Sequence, residues 1–129
     1  MALKVELKPG EKLLVGQCII TNSDQRARLF IEGSAPILRE KDILTLATAD
    51  TPAKRIYLAV QLMYIEEDIS NMQAQYFALI TDFIAAAPLS LAIADRLNEE
   101  ISGGNLYKAL RIARELIDYE NQLFDLIKT

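Results

Sequence analysis

The chain opens with Leu3, Val5 and Leu7 alternating against Lys4 and Glu6, the period-two spacing of a strand with one buried face. Lys8-Pro9-Gly10-Glu11 follows, with proline and glycine at the two central positions of a turn. A fixed φ at the first and a permitted positive φ at the second predict type II geometry, with the chain doubling back. Leu13 to Thr21 is a single apolar run rich in β-branched residues, Asn22-Ser23-Asp24-Gln25 supplies turn chemistry, and Arg26 to Glu32 alternates again. Three or more antiparallel strands are expected. In the last, Ala27, Leu29 and Ile31 share one face while Arg26, Arg28, Phe30 and Glu32 share the other, so two arginines flank an aromatic.

After Gly33-Ser34-Ala35-Pro36 the pattern changes, and from Asp50-Thr51-Pro52 onward the apolar spacing is helical. Asp50 or Thr51 is placed to cap a helix, with Pro52 near its first position. One core stripe runs through Ile56, Ala59, Val60, Met63 and Tyr64, a second through Ile69, Met72, Tyr76, Ile80, Phe83 and Ile84. Pro88 either starts a third helix after a break at Ala87 or kinks a longer one. Gly103-Gly104 is a stop, Asn105 a capping residue, and Leu106, Leu110, Ala113, Ile117, Phe124 and Ile127 line a final helix. Strands first and helices after predict an α+β fold: a small N-terminal antiparallel β unit over residues 1–48, then a helical region of three to four helices over residues 49–129. No internal repeat is evident.

Composition narrows the function. There is no histidine among the 129 residues, so Ser-His-Asp and Cys-His catalysis and histidine-containing zinc sites are excluded. No phosphate-binding glycine loop occurs, because Gly103-Gly104 lacks the lysine and hydroxyl residue that would follow. Glu66-Glu67-Asp68 and the pair Glu115 and Asp118 read as hydrated surface carboxylates, and an enzyme is not expected. No cofactor or metal is implied. Cys18 lies inside the apolar run and reads as a small buried hydrophobe. The charge-free stretches Asn71–Thr81 and Phe83–Ala94 are shorter than the roughly 20 residues of a spanning helix. With Lys4, Glu6 and Lys8 in the first ten residues there is no signal-peptide pattern, so a cytoplasmic location is expected.

Net charge is −4, which opposes polyanion binding, but the charge is uneven along the chain. Residues 1–55 hold nine Lys or Arg against seven Asp or Glu, whereas residues 56–129 hold five against eleven. The first part can therefore meet a polyanion locally, while the second suits protein partners or solvent. Lys8 and Lys12 flank the predicted turn, Arg26 and Arg28 accompany Phe30, Arg39 and Lys41 follow Ala35-Pro36, and Lys54 and Arg55 open the first helix. Such cations neutralise phosphates, and a neighbouring aromatic stacks on an unpaired base. These positions are candidate RNA contacts, with ordinary solvated charges as the other reading. Tyr57, Tyr64, Tyr76, Met63 and Met72 on the helical stripes are core or partner surface.

The run Ala49-Asp50-Thr51-Pro52-Ala53-Lys54-Arg55-Ile56-Tyr57, continuing through Val60-Gln61-Leu62-Met63-Tyr64, resembles the central signature of the FlbT family. Leu7-Lys8-Pro9-Gly10-Glu11 and Leu38-Arg39-Glu40-Lys41-Asp42-Ile43-Leu44 are similar to the same family. That resemblance implies post-transcriptional repression of flagellin synthesis, through binding of the 5′ untranslated region of flagellin mRNA that destabilises the message or blocks its translation. It also implies FlaF or flagellin as partners of the helical region, with homo-oligomerisation as a further role for that region. A protein-binding adaptor or chaperone-like module, acting on the message only indirectly, is the alternative. A weaker resemblance links Gly10-Glu11, Leu13-Leu14-Val15-Gly16, Ala35-Pro36 and Arg39-Glu40 to CsrA-type RNA-binding proteins. It implies Arg39 as the foremost phosphate or base contact, although the spacing from Ala35-Pro36 to Arg39 is shorter here.

Overall fold

The computed structural model describes residues 2–128 and is α+β. It divides into two compact units, the first ending at Ile43 and the second beginning at Leu44. The division falls ahead of residue 49 because Leu44 is already tied to the helices: its N–H donates to Gln61 Oε1 and its carbonyl accepts from Gln61 Nε2, each at 2.9 Å.

The first unit holds strands β1 (Ala2–Leu7), β2 (Lys12–Val15), β3 (Cys18–Thr21), β4 (Ala27–Glu32) and β5 (Ile37–Arg39). They form two antiparallel sheets, β1-β4 and β3-β2-β5. Val5, Leu7 and Leu13 are buried together, with Val15, Leu29, Ile31 and Ile37 packed around them. The core therefore lies between the inward faces of the two sheets, as the alternation in β1 and β4 requires.

The turn after β1 has the expected chemistry, with Gly10 at φ 76° and the Glu11 N–H bonded to the Lys8 carbonyl at 3.0 Å. It does not pair the strands that flank it. Gly10 N–H donates to the Ser23 carbonyl, and Asn22 Nδ2 reaches the carbonyls of Leu7, Lys8 and Gln25. The turn is thereby bound to the segment before β4, and β1 takes β4 as partner while β2 enters the other sheet.

Leu13–Thr21 is two strands, not one. Gly16 takes φ 60° at the first position of the two-residue loop Gly16-Gln17, the sign pattern of a type II′ hairpin, and Val15 pairs with Cys18. As a result Cys18 is exposed rather than buried: it stands on an edge strand every residue of which is exposed.

In the second unit, α1 (Pro52–Glu66) starts with Thr51 accepting from the Lys54 N–H through its side chain, and Pro52 in the first turn. Ile56, Ala59, Val60 and Met63 are buried as the stripe requires. Helix α2 (Gln73–Ala86) buries Tyr76, Ile80 and Phe83. Pro88 breaks the chain: Ala87 leaves helical space at φ −138°, ψ 75°, a 3-10 turn spans Pro88–Ser90, and α3 (Leu91–Ser102) follows. Gly104 at φ 76° separates α3 from α4 (Leu106–Lys128). Helix α4 packs against α1 and α3 through Ala109, Leu110, Ile112, Ala113, Leu116 and Ile117.

One end of the α4 stripe departs from expectation. Phe124 is 41% and Ile127 80% exposed, because α4 has 23 residues against 15 for α1 and 12 for α3. Its last turns outrun the helices it packs on.

Candidate nucleic-acid interface

Sheet register decides which basic residues meet. In the β1-β4 ladder Leu7 pairs with Ala27, Glu6 with Arg28 and Lys4 with Phe30, so Lys4, Glu6, Arg28, Phe30 and Glu32 share the outward face. Phe30 is 67% exposed, set outward by the same alternation that turns Leu29 and Ile31 into the core. Arg28 Nη2 lies 3.3 Å from Glu6 Oε1 across the ladder. Both groups remain in water, where such a pair is weak and readily exchanged for another anion.

The same registers collect more cations at one end of the β unit. Lys8 follows the last residue of β1 and Arg26 precedes the first residue of β4, across the Leu7–Ala27 pair. Lys12 begins β2, Arg39 ends β5 opposite Leu13, and Lys41 sits in the 3-10 turn Glu40–Asp42 that follows. All are exposed. Glu11, Asp24, Glu40 and Asp42 accompany them at this end. Two carboxylates are turned to backbone donors, Glu11 Oε1 to the Lys8 N–H at 2.8 Å and Glu40 Oε2 to the Lys12 N–H at 3.4 Å. Lys12 Nζ donates to Thr21 Oγ1 at 3.4 Å.

Lys54 and Arg55 are not brought to this end by the β unit. They belong to α1 in the helical unit, where Lys54 pairs with Asp50 at 3.4 Å. Arg55 borders a groove of about 590 Å³ formed with Leu79, Phe83, Leu123, Phe124 and Ile127. Lys4, opposite Phe30, escaped the sequence reading. Its alternation placed it outward, but only the β1-β4 register sets it beside the aromatic.

Two of the carboxylates that the sequence reads as surface groups, Glu115 and Asp68, are held below the ordinary carboxylate range. Arg96 makes two 2.9 Å hydrogen bonds to Glu115 and draws its carboxyl below the usual range. Ser70, through hydroxyl and N–H, does the same for Asp68. A general acid working near neutrality needs the opposite shift. Glu120 is used structurally: buried on α4, it accepts the Ala53 N–H at 2.9 Å and so caps α1 from another helix. Among the described residues no group of His, Cys, Asp or Glu is arranged to hold a metal ion, and no helix is long and apolar enough to cross a membrane.

The described residues define a two-unit α+β protein, a β unit that gathers five cations among four carboxylates at one end and carries an exposed aromatic, joined to a helical unit rich in carboxylates. The family model described as "Flagellar protein FlbT" matches residues 3–124, and the chain belongs to that family. It is 56% identical over 124 residues to "Probable flagellum biosynthesis repressor protein FlbT 1" of Bradyrhizobium diazoefficiens, covering 95% of this chain and 85% of that relative. A "Probable flagellum biosynthesis repressor protein FlbT" of Rhodopseudomonas palustris is 52% identical, covering 95% of this chain and 98% of the relative. The "Flagellum biosynthesis repressor protein FlbT" of Caulobacter vibrioides is 34% identical, with 95% of this chain and 89% of the relative covered. No solved structure matches the chain.

Proposed function

We propose that this protein is a cytoplasmic, non-enzymatic repressor of flagellin synthesis that binds the 5′ untranslated region of flagellin mRNA and promotes its decay or blocks its translation. Its relatives' names support the repressor role. The observation that carries the RNA reading is Phe30, 67% exposed between Lys4 and Arg28 on one sheet face. An exposed ring flanked by Lys4 and Arg28 is a stacking platform for an unpaired base; Glu6 and Glu32 share its face, and an RNA phosphate would take the place of Glu6 on Arg28. In this reading Arg39, Lys8, Lys12, Arg26, Arg28 and Lys41 contact phosphates, while Lys54 and Arg55 contribute from the helical unit, which meets FlaF or flagellin.

The test is binding of the full chain to a labelled flagellin leader and a scrambled control, by fluorescence anisotropy at two salt concentrations. Leader-selective binding that weakens with salt is expected. Phe30→Ala should cost roughly 1–3 kcal/mol of affinity. Arg28→Ala with Arg39→Ala should lower the slope of log affinity against log salt by about 1.4, since each single-strand phosphate contact contributes about 0.7. Unchanged affinity in these variants, with the protein folded, would sink the assignment.

A second reading is favoured by the apolar groove of the helical unit, with Leu79, Phe83, Leu123 and Phe124 on its walls. There the protein is an adaptor for FlaF or flagellin and affects the message indirectly. Absence of leader binding together with loss of partner capture on Leu123→Asp would favour it.

A further inference from the structure

Strand β3 is an open edge. It is the outer strand of the sheet β3-β2-β5, and Ile19 and Ile20, on opposite faces, are 54% and 40% exposed. The hydrogen-bond parity of the edge follows from its neighbours. Asn22 N–H is directed back to the Glu11 carbonyl next to β2, and Gly16 N–H to the Pro36 carbonyl on the β5 side. Alternation then turns the N–H and C=O groups of Ile20 toward β2 and those of Ile19 and Thr21 outward. Among the described residues no backbone group outside the sheet meets Ile19 or Thr21.

Proteins ordinarily guard such an edge with a charge, a proline or a bulge. None is present here: Leu13 to Ser23 contains no charged residue and no proline, and the β2-β3 ladder runs without a break from Lys12–Thr21 to Val15–Cys18. We infer that β3 pairs antiparallel with β3 of a second copy of this chain, about a two-fold axis at Ile20. The edge is complementary to itself in that register. Ile19 of each copy meets Thr21 of the other as a hydrogen-bonded pair, which uses all the outward N–H and C=O groups of both residues in both copies. Ile20 meets Ile20, and each side chain stays on the face it already occupies, so the apolar inner face is extended and not inverted. The charge-free stretch brings no like charges together across the axis, which is what favours a second copy over a charged partner strand.

The test uses the full chain in sedimentation equilibrium over a range of concentrations, with circular dichroism to establish folding. A concentration-dependent dimer is expected, and Ile20→Lys, which sets two ammonium groups opposite each other, should weaken it at least tenfold. In a Cys18→Ser background, Ile20→Cys should form a disulfide dimer on mild oxidation, because opposed Cα atoms in such a pair lie about 4.5 Å apart. Ile19→Cys in the same background should not, its counterpart being roughly 8 Å away. If Ile20→Lys fails to fold, the two cysteine variants decide alone. A chain that stays monomeric, or a dimer in which Ile20→Cys does not cross-link or Ile19→Cys cross-links equally, overturns the pairing.

Discussion

Glu67 ends α1 in the left-handed region at φ 53°, the only positive φ among the described non-glycine residues. A side chain there crowds its own backbone at a cost of about 1–2 kcal/mol, part of which glycine returns as unfolded-chain entropy. Glu67→Gly should therefore raise stability by about 0.5–1 kcal/mol in urea unfolding. Glu120 is the opposite case. Removing its carboxylate leaves the Ala53 N–H buried without its partner, so Glu120→Ala should cost roughly 1–3 kcal/mol, while Glu120→Gln, which keeps an acceptor oxygen, should cost less. Sequence offered Asp50 or Thr51 as the cap of α1, and the structure selects Thr51. It could not mark Glu120, because a cap supplied from 67 positions away has no local signature.

At the scale of elements, helices were more legible than strand pairings. Pro52, Pro88 and Gly103-Gly104 act through local stereochemistry, and each falls at the helix boundary it announces. The β2-β3 hairpin went unseen because Gly16-Gln17 interrupts an apolar run without interrupting its hydrophobicity, and the signal lies in the sign of one φ. Gly16→Ala forces a Cβ into that conformation and should destabilise the β unit by about 1–2 kcal/mol, seen as a lower unfolding midpoint. The apolar run also suggested burial of Cys18, but a run longer than one strand puts part of itself on the sheet edge.

For the whole molecule, the two units differ in charge. Taken at the observed boundary, residues 1–43 hold seven Lys or Arg against six Asp or Glu, and residues 44–129 hold seven against twelve. Lys54 and Arg55 thus belong to the acidic unit, and any polyanion binding by the β unit rests on where its cations gather rather than on its net charge. Acid should loosen the helical unit through Glu115. Its folded-state pKa is lowered by Arg96, so its contribution to stability is complete above the unfolded-state value and is lost as pH falls through the folded one. The melting difference between wild type and Glu115→Gln should accordingly be largest near neutrality and close on acidification below the ordinary carboxylate range. Sequence by itself determined the α+β order, the turn at Pro9-Gly10, the capped start of α1 and the outward face of Arg26, Arg28 and Phe30, because each depends on residues within a few positions of one another. Only the tertiary structure decided that β1 pairs with β4, that Lys4 stands beside Phe30, that Lys8, Lys12, Arg26, Arg39 and Lys41 share one end, and that β3 is an open edge. These depend on which strands pair and in what register, a choice made by burying two sheet faces against each other at distances along the chain that no local pattern spans.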